Sequence, residues 1–340
     1  MKEIAFGPLL RAMTFRRLFN GLLVYGSFII SKILRRSVVW GSPFVLTVEP
    51  SSCCNLHCPQ CKTGAGKLTR RIGFLDLEVY RRLIEEIGDR LIYMLLFNQG
   101  EPFLHPQIID FIKIAKRKKI YVCISTNGHF LDQHRRVQSL IESGLDVLII
   151  SLDGADEQTY ASYRVGGDFQ RVLKGIQRLG DLKRKLGSNT PKLALQFLVM
   201  KHNEHQLADI RKLAHGFGIR KLLLKSVQVE DYSAAQIYLP RNAAYRRYTF
   251  EGEKLQPKAN LDAICHRLWT STVLLSDGSI VPCCFDKDGQ YRLGSFSEEL
   301  PFKHIWRAPK YNQFRNRKLH QRGSIEICNN CTQGLTIYHK

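Results

Sequence analysis

The sequence predicts an α/β protein: a parallel sheet curled into a partial (β/α)6, TIM-like barrel, followed by a small cysteine-rich C-terminal domain. Three observations carry that reading. Six strand-like apolar runs alternate with helix-like segments between Phe44 and about Leu224, and such repetition builds parallel sheets whose functional groups gather at the carboxyl ends of the strands. The ten cysteines are grouped, with Cys53, Cys54, Cys58 and Cys61 early, Cys265, Cys283, Cys284, Cys328 and Cys331 late, and Cys123 apart. With 340 residues and 44% hydrophobic content, the chain can bury one large core and a satellite.

Residues 1–40 precede the barrel. Within the first 36, Leu18, Leu22, Tyr25, Ile29 and Ile33 recur at steps of three and four, while Asn20, Ser27 and Ser31 lie elsewhere around the turn and Arg16, Arg17, Lys32, Arg35 and Arg36 flank the run. That is the pattern of a basic amphipathic helix. Its apolar stretch, Leu22 to Ile30 apart from Gly26 and Ser27, falls short of the roughly 20 residues that span a bilayer. No small-residue cleavage site follows it, as a signal peptide requires. Two readings stay open: the stripe packs on the protein's own body, or it lies on an anionic membrane surface.

The barrel, residues 41–225, has expected strands at Phe44–Val48, Met94–Phe97, Tyr121–Ser125, Val147–Ser151, Leu193–Val199 and Lys221–Lys225. Helical patterns lie between them at Asp76–Ile87, His105–Lys116, Arg135–Ser143, Phe169–Lys185 and Leu207–Phe217. Residues 226–260 carry little periodicity and read as a linker. Residues 261–340, with turn pairs at Asp277-Gly278 and Asp288-Gly289, form the second domain.

The formal charge is +21, from 51 Lys and Arg against 30 Asp and Glu. Such a surface attracts nucleic acid, anionic lipid or a phosphorylated substrate. Nucleic acid ranks behind the others, because the basic residues are spread along the whole chain and no helix-turn-helix or RRM aromatic pattern is present. The cysteine spacings suit metal better than a disulfide framework. The expected compartment is therefore the reducing cytoplasm, with the inner face of the membrane as the place for a peripheral form.

Cys54-Asn-Leu-His-Cys58-Pro-Gln-Cys61 follows the first strand directly, in a loop. Three thiolates at these spacings can hold three irons of a 4Fe-4S cube and leave the fourth iron without a protein ligand. An open coordination position separates a catalytic metal site from a closed structural one. Zinc or an electron-transfer cluster is the alternative, for which His57 and Cys53, the nearest further ligands, are crowded by their neighbours.

A CxxxCxxC loop after the first strand of a strand–helix barrel resembles the core of the radical S-adenosylmethionine (SAM) superfamily. The resemblance implies that SAM chelates the open iron. It also implies that reduction of the cluster, by a donor such as flavodoxin or ferredoxin, cleaves SAM to methionine and a 5'-deoxyadenosyl radical that abstracts hydrogen from substrate. Other motifs of that family are matched in order at the expected strand ends. Asn98-Gln99-Gly100-Glu101-Pro102 is similar to the GGEP motif, with Gln99 where a glycine is usual and Glu101 implied to receive the methionine ammonium. Ser125-Thr126-Asn127-Gly128 is similar to a turn that lies beside SAM. Ser151-Leu152-Asp153-Gly154 resembles the SxDG segment, whose serine meets SAM. Arg164, thirteen residues beyond Ser151, is the implied partner of the SAM carboxylate. The implied cofactor-binding set is therefore Gln99, Gly100, Glu101, Ser125, Asn127, Ser151, Asp153 and Arg164. A plain Asn-Gly turn and a solvated surface arginine are the competing readings of Asn127-Gly128 and Arg164.

Cys265 is followed after twelve residues by Gly278, and Gly278 after four more by Cys283; Cys328-Asn-Asn-Cys331 follows near the end. This resembles the SPASM or twitch extension of radical SAM enzymes, as do Leu293-Gly294, Ile305-Trp306 and Arg315. The glycine permits a hairpin between Thr272–Ser276 and Ser279–Pro282 that brings Cys265 and Cys283 together. Cys265, Cys283, Cys328 and Cys331 then supply four thiolates for one auxiliary 4Fe-4S cluster, with tetrathiolate zinc as the alternative. The CX2CX5CX3C run of full SPASM domains is absent, which implies a single auxiliary cluster. Cys53 and Cys123 read as small buried hydrophobes.

The resemblance spans residues 44 to 335 and implies a radical SAM oxidoreductase or modifying enzyme. Peptides and proteins are one substrate class of SPASM-type relatives; carbohydrates, lipids and nucleotides are the alternative. A non-catalytic iron-sulfur carrier, or an RNA-binding protein with structural clusters, is the reading from a different class, and it leaves the strand-end motifs without a use.

Overall fold

The computed structural model describes residues 12–258, 265–297, 300–331 and 338–339. After helix α1 (Phe15–Leu34) come six parallel strands: β1 (Val45–Val48), β2 (Tyr93–Leu95), β3 (Tyr121–Thr126), β4 (Val147–Ser151), β5 (Lys192–Val199) and β6 (Lys221–Ser226). They lie side by side in chain order. Helices α2 (Leu77–Ile87), α3 (Ile108–Arg117), α4 (His134–Glu142), α5 (Glu157–Tyr163), α6 (Phe169–Lys185) and α7 (Leu207–Gly216) form the crossovers. Parallel strands covered on both faces read as continuous apolar runs, and β4, VLIIS, is buried at every position. Asp76 and Asp168 cap α2 and α6, each accepting backbone N–H bonds in the first turn.

The two faces of the sheet divide the core. Leu46, Met94, Val122, Leu148, Leu195 and Leu224 pack outward under the helices, while Tyr93, Tyr121, Cys123, Val147, Ile149, Ala194 and Leu223 pack inward, with Ala12 among them. Cys123 is thus a buried hydrophobe of the barrel interior, whereas Cys53, read the same way, is only half-buried, in the loop whose carbonyl takes the Glu101 N–H.

The C-terminal extension continues the barrel sheet. Strand β9 (Ser271–Leu274) pairs in parallel with β1 and in antiparallel with β10 (Ser279–Val281), turning at Gly278, φ +80°. Strand β11 (Gly294–Ser295) follows outside β10, and β12 (Tyr338–His339) closes on β6. The hairpin is where the glycine spacing puts it, but it is welded to the barrel.

Residues 226–260, expected as a linker, fold where they are described. Helix α8 (Tyr232–Tyr238) and a hairpin of β7 (Tyr248–Glu251) and β8 (Lys254–Pro257) bury Val227, Val229, Ala235, Leu239 and Tyr248 against Leu56 and Cys58. These apolar residues come from a turn, a short helix and a hairpin, so no single period links them.

Helix α1 is inverted relative to an ordinary surface helix. Its buried positions are Arg17, Asn20, Val24, Ser27 and Ser31, while the stripe Leu18, Leu22, Tyr25, Ile29 and Ile33 is exposed. The helix docks on the body by its polar side.

Candidate metal and cofactor site

Side chains alternate along a strand, so the inner face that is apolar toward the amino ends carries Thr47, Ser125, Ser151 and Gln196 toward the carboxyl ends. Strand β1 runs from there into the cysteine loop. Cys58 is buried and Cys54 and Cys61 half-buried. The loop is turned by the Cys61 N–H on the Cys58 carbonyl at 3.1 Å and the Leu56 N–H on the Cys54 sulfur at 3.4 Å. Burial pushes the Cys58 thiol up to about 11, against the pull of the Arg164 charge, with Cys61 and Cys54 adding to the rise. Cys54 is raised too, again by burial first. Three thiols in one another's field, with a cation beside them, suit a metal cluster that deprotonates its ligands.

Gly100 brings the second-strand motif onto this loop. Its φ is +70°, and a Cβ there would stand 2.4 Å from the Ser51 carbonyl oxygen and 2.6 Å from that of Cys53. Only glycine lets the backbones meet, and the next N–H, of Glu101, donates to the Cys53 carbonyl at 2.7 Å. The Glu101 carboxylate is buried and accepts from the Asn127 N–H at 2.7 Å, the Thr126 hydroxyl at 2.8 Å and the Phe103 N–H at 3.1 Å. Burial raises this carboxyl and the three donors pull it back. One side chain thereby fixes the ends of β2 and β3. The Asn127 amide donates to the Asn55 side-chain oxygen at 2.8 Å, tying the third-strand turn to the cysteine loop.

Arg164 is no solvated arginine. Its side chain is 14% exposed and makes a two-pronged pair with Asp153, Nη2 at 2.6 Å and Nε at 2.7 Å. Asp153 is fully buried and also accepts the Leu198 N–H at 2.7 Å, so it orients Arg164. The Ser151 hydroxyl accepts from the Gln196 amide at 3.2 Å. Ser125 is half-buried at the end of β3, and half-buried Gln99 enters through its backbone N–H, 3.1 Å from the Glu49 carboxylate.

Sequence reasoning missed Glu49 and Arg70. Glu49, fully buried, receives Arg70 at 2.5 and 2.7 Å, the Asn98 amide at 3.1 Å and the Ser276 N–H at 3.3 Å. Arg70 reaches on to the Lys287 carbonyl at 2.8 Å and the Ser276 hydroxyl at 3.2 Å. This pair locks cysteine loop, second-strand motif and C-terminal extension together. A single acid just past a strand was its only signal.

Cys265, Cys283, Cys328 and Cys331 line one cavity with Leu268, Phe285, Phe314 and Ile327 as apolar walls and Arg267 and Lys318 as cations. Cys284 stands aside, 3.9 Å from the Arg267 guanidinium. Burial raises the Cys265 thiol, which Lys318 opposes, and raises Cys283 well above its usual range. The Lys318 ammonium donates to the Cys328 sulfur at 3.2 Å. Arg315 is scaffold here: it donates to the Leu268 and Trp306 carbonyls at 3.0 and 2.8 Å and stacks on Tyr311. Among the described residues no three His, Cys, Asp or Glu side chains close on a single ion, and the four thiols instead surround a volume, as cluster ligands do.

A model of the radical SAM superfamily matches residues 48–214, and one of an iron-sulfur cluster-binding domain, SPASM, matches residues 265–332. The chain belongs to the radical SAM superfamily. In this family the barrel carries a 4Fe-4S cluster with SAM and the SPASM domain an auxiliary cluster, and the two thiol sets fit those groups. The chain is 36% identical over 135 residues to the GTP 3',8-cyclase of Chlorobaculum tepidum, covering 39% of each. It is 26% identical over 187 residues to the PqqA peptide cyclase of Gluconobacter oxydans, covering 55% of this chain and 50% of that one. The match thus spans half or less of those relatives' length. Among solved structures, Streptococcus suis SuiB bound to S-adenosylmethionine aligns with TM-score 0.62 at 18% identity, over 92% of this chain and 77% of that one. At that identity the likeness is one of fold.

Proposed function

We propose that this chain is a radical SAM enzyme that abstracts hydrogen from a peptide or protein substrate and so modifies it, with electrons from a donor such as flavodoxin or ferredoxin in the cytoplasm. One observation carries the chemistry: three thiols share the loop after β1, in one another's field and that of Arg164 and against the Gly100–Glu101 turn, while a separate four line a cavity of their own. When bound, the cluster and SAM supply one-electron cleavage of a sulfonium bond and a hydrogen-abstracting radical. The chain's own residues hold and screen. Cys54, Cys58 and Cys61 would hold three irons, and Cys265, Cys283, Cys328 and Cys331 the auxiliary cluster. Arg164, braced by Asp153, offers its charge to a carboxylate. Leu56, Tyr163, Met200 and Val229 share one buried apolar cluster with Cys58, an environment that limits water at that thiol.

A cleft of about 470 Å³ supports the peptide reading. It reaches from Lys62, beside Cys61, to Phe285 and Ile327, which also wall the four-thiol cavity. A substrate in it lies close to both thiol sets. Its ionisable lining is Lys62 and Lys287 against Glu230, Asp286, Asp288 and Glu326. Despite the overall +21, this local excess of acid repels polyphosphate and admits a peptide backbone. PqqA peptide cyclase and SuiB, solved with its precursor peptide SuiA, agree with that choice. Co-expression with short peptides encoded beside the gene, read by mass spectrometry, tests it. The expected result is a peptide mass change that disappears when Cys54, Cys58 and Cys61 are replaced by alanine. SAM consumption coupled to an added sugar, lipid or nucleotide, with every such peptide unaltered, contradicts it.

A further inference from the structure

Helix α1 is held to the body by bonds that leave its apolar side outward. The Arg17 guanidinium donates to the carbonyls of Ala12 and Lys118 at 2.5 Å and of Gly88 and Lys119 at 3.1 Å. Asn20 grips Ser42 through two bonds of 2.9 Å. The Ser31 hydroxyl accepts the Val38 N–H at 2.8 Å. Outward stand Phe15 at 85% exposure, Leu22 at 72%, Ile33 at 67% and Ile29 at 54%, with Leu18 and Tyr25 between them. Trp40, 47% exposed, packs at Gly26 and widens this ridge at its side. Leaving such a ridge in water is unfavourable, and contiguous exposed apolar surface marks an interaction site.

Charge identifies the occupant. No Asp or Glu occurs from Ile4 to Val48, a segment that carries Arg11, Arg16, Arg17, Lys32, Arg35 and Arg36; Lys32, Arg35 and Arg36 are exposed at the end of the helix. We infer that α1 docks the protein on an anionic lipid bilayer, lying flat in the headgroup region with its apolar ridge inserted and Lys32, Arg35 and Arg36 on the lipid phosphates. A second copy on the same face would set cation against cation. By length and composition the helix could cross a membrane, but its bonded polar face keeps it parallel to the protein surface. Arg17 anchors it to the loops that enter β2 and β3, at the amino ends of the strands. Cys54, Cys58 and Cys61 follow the carboxyl end of β1, so the docked molecule keeps that loop turned toward the cytoplasm. This inference stands apart from the choice of substrate.

Flotation of the anaerobically reconstituted full chain with vesicles of phosphatidylcholine alone, or mixed with phosphatidylglycerol, tests it. Binding is expected to the mixed vesicles, weakened by high salt. Exchanging Leu22 and Ile29 for glutamate should reduce it at least about tenfold, and exchanging Lys32, Arg35 and Arg36 for glutamine should reduce it on anionic vesicles only. Because all five side chains point outward, iron content and thermal midpoint should stay unchanged in both variants. Absence of vesicle binding, equal and salt-indifferent binding to both lipids, or a dimer in sedimentation that the Leu22→Glu/Ile29→Glu variant dissolves would each overturn the inference.

Discussion

Gly100 sits where two motifs touch, and its replacement has a sharp consequence. Alanine there needs the left-handed φ of +70° and a Cβ 2.4 Å from a backbone oxygen, a strain on the order of 1–3 kcal/mol that moving the cysteine loop would relieve. Gly100→Ala should therefore lower reconstituted iron from about eight toward about four per chain, with secondary structure retained in circular dichroism. Full iron in that variant would mean that the contact does not shape the loop. Asp153 makes a second case. It is fully buried, and its oxygens hold Arg164 and the Leu198 N–H. Asp153→Ala leaves a buried cation without its partner, so denaturant unfolding should show a loss of about 3–5 kcal/mol. A loss below about 1 kcal/mol would match a solvated pair and contradict the bracing role.

At the scale of elements, two histidines behind the motifs set a pH dependence. His105, after the Gly100–Glu101 turn, accepts the Gln107 N–H on Nδ1 at 3.0 Å and donates from Nε2 to the Leu75 carbonyl at 2.9 Å. His129, after β3, accepts the Asp168 N–H on Nε2 at 2.9 Å and faces the Asn127 side-chain oxygen through Nδ1 at 3.1 Å. Protonation removes the acceptor in each. Burial lowers both from the ordinary 6.5, so the unfolded chain takes up the proton first. Their stabilisation is complete above about pH 6.5 and is lost as pH falls through the lower folded values. The urea midpoint should decline on acidification through that window, and His105→Gln/His129→Gln should flatten the decline; a midpoint that holds or rises contradicts this. The elements differ in how far the sequence revealed them. β4 and α6 were readable to the residue because an all-buried run and a capped amphipathic repeat are local signals. The fold of 226–258 was not, since Val227, Ala235 and Tyr248 share a cluster but no period. The α1 stripe was legible, yet its direction was not, because the carbonyls that bind Arg17 come from Gly88, Lys118 and Lys119, far along the chain.

For the whole molecule, the thiol sets are parts of one sheet-linked body. β9 lies beside β1, and the Glu49–Arg70 pair reaches Ser276 and Lys287 of the extension. Spacing exposed both cysteine sets, because ligand intervals are a property of the chain itself. It could not expose the long-range pairing that welds the extension to the barrel. The central claim is that Cys54, Cys58 and Cys61 form the reactive site. Its most direct test is reduction of the anaerobically reconstituted chain with dithionite and SAM, with 5'-deoxyadenosine measured alongside iron. The intact chain should hold about eight irons and produce 5'-deoxyadenosine, and the Cys54→Ala/Cys58→Ala/Cys61→Ala variant should hold about four and produce none. Continued 5'-deoxyadenosine formation by that variant would contradict the account.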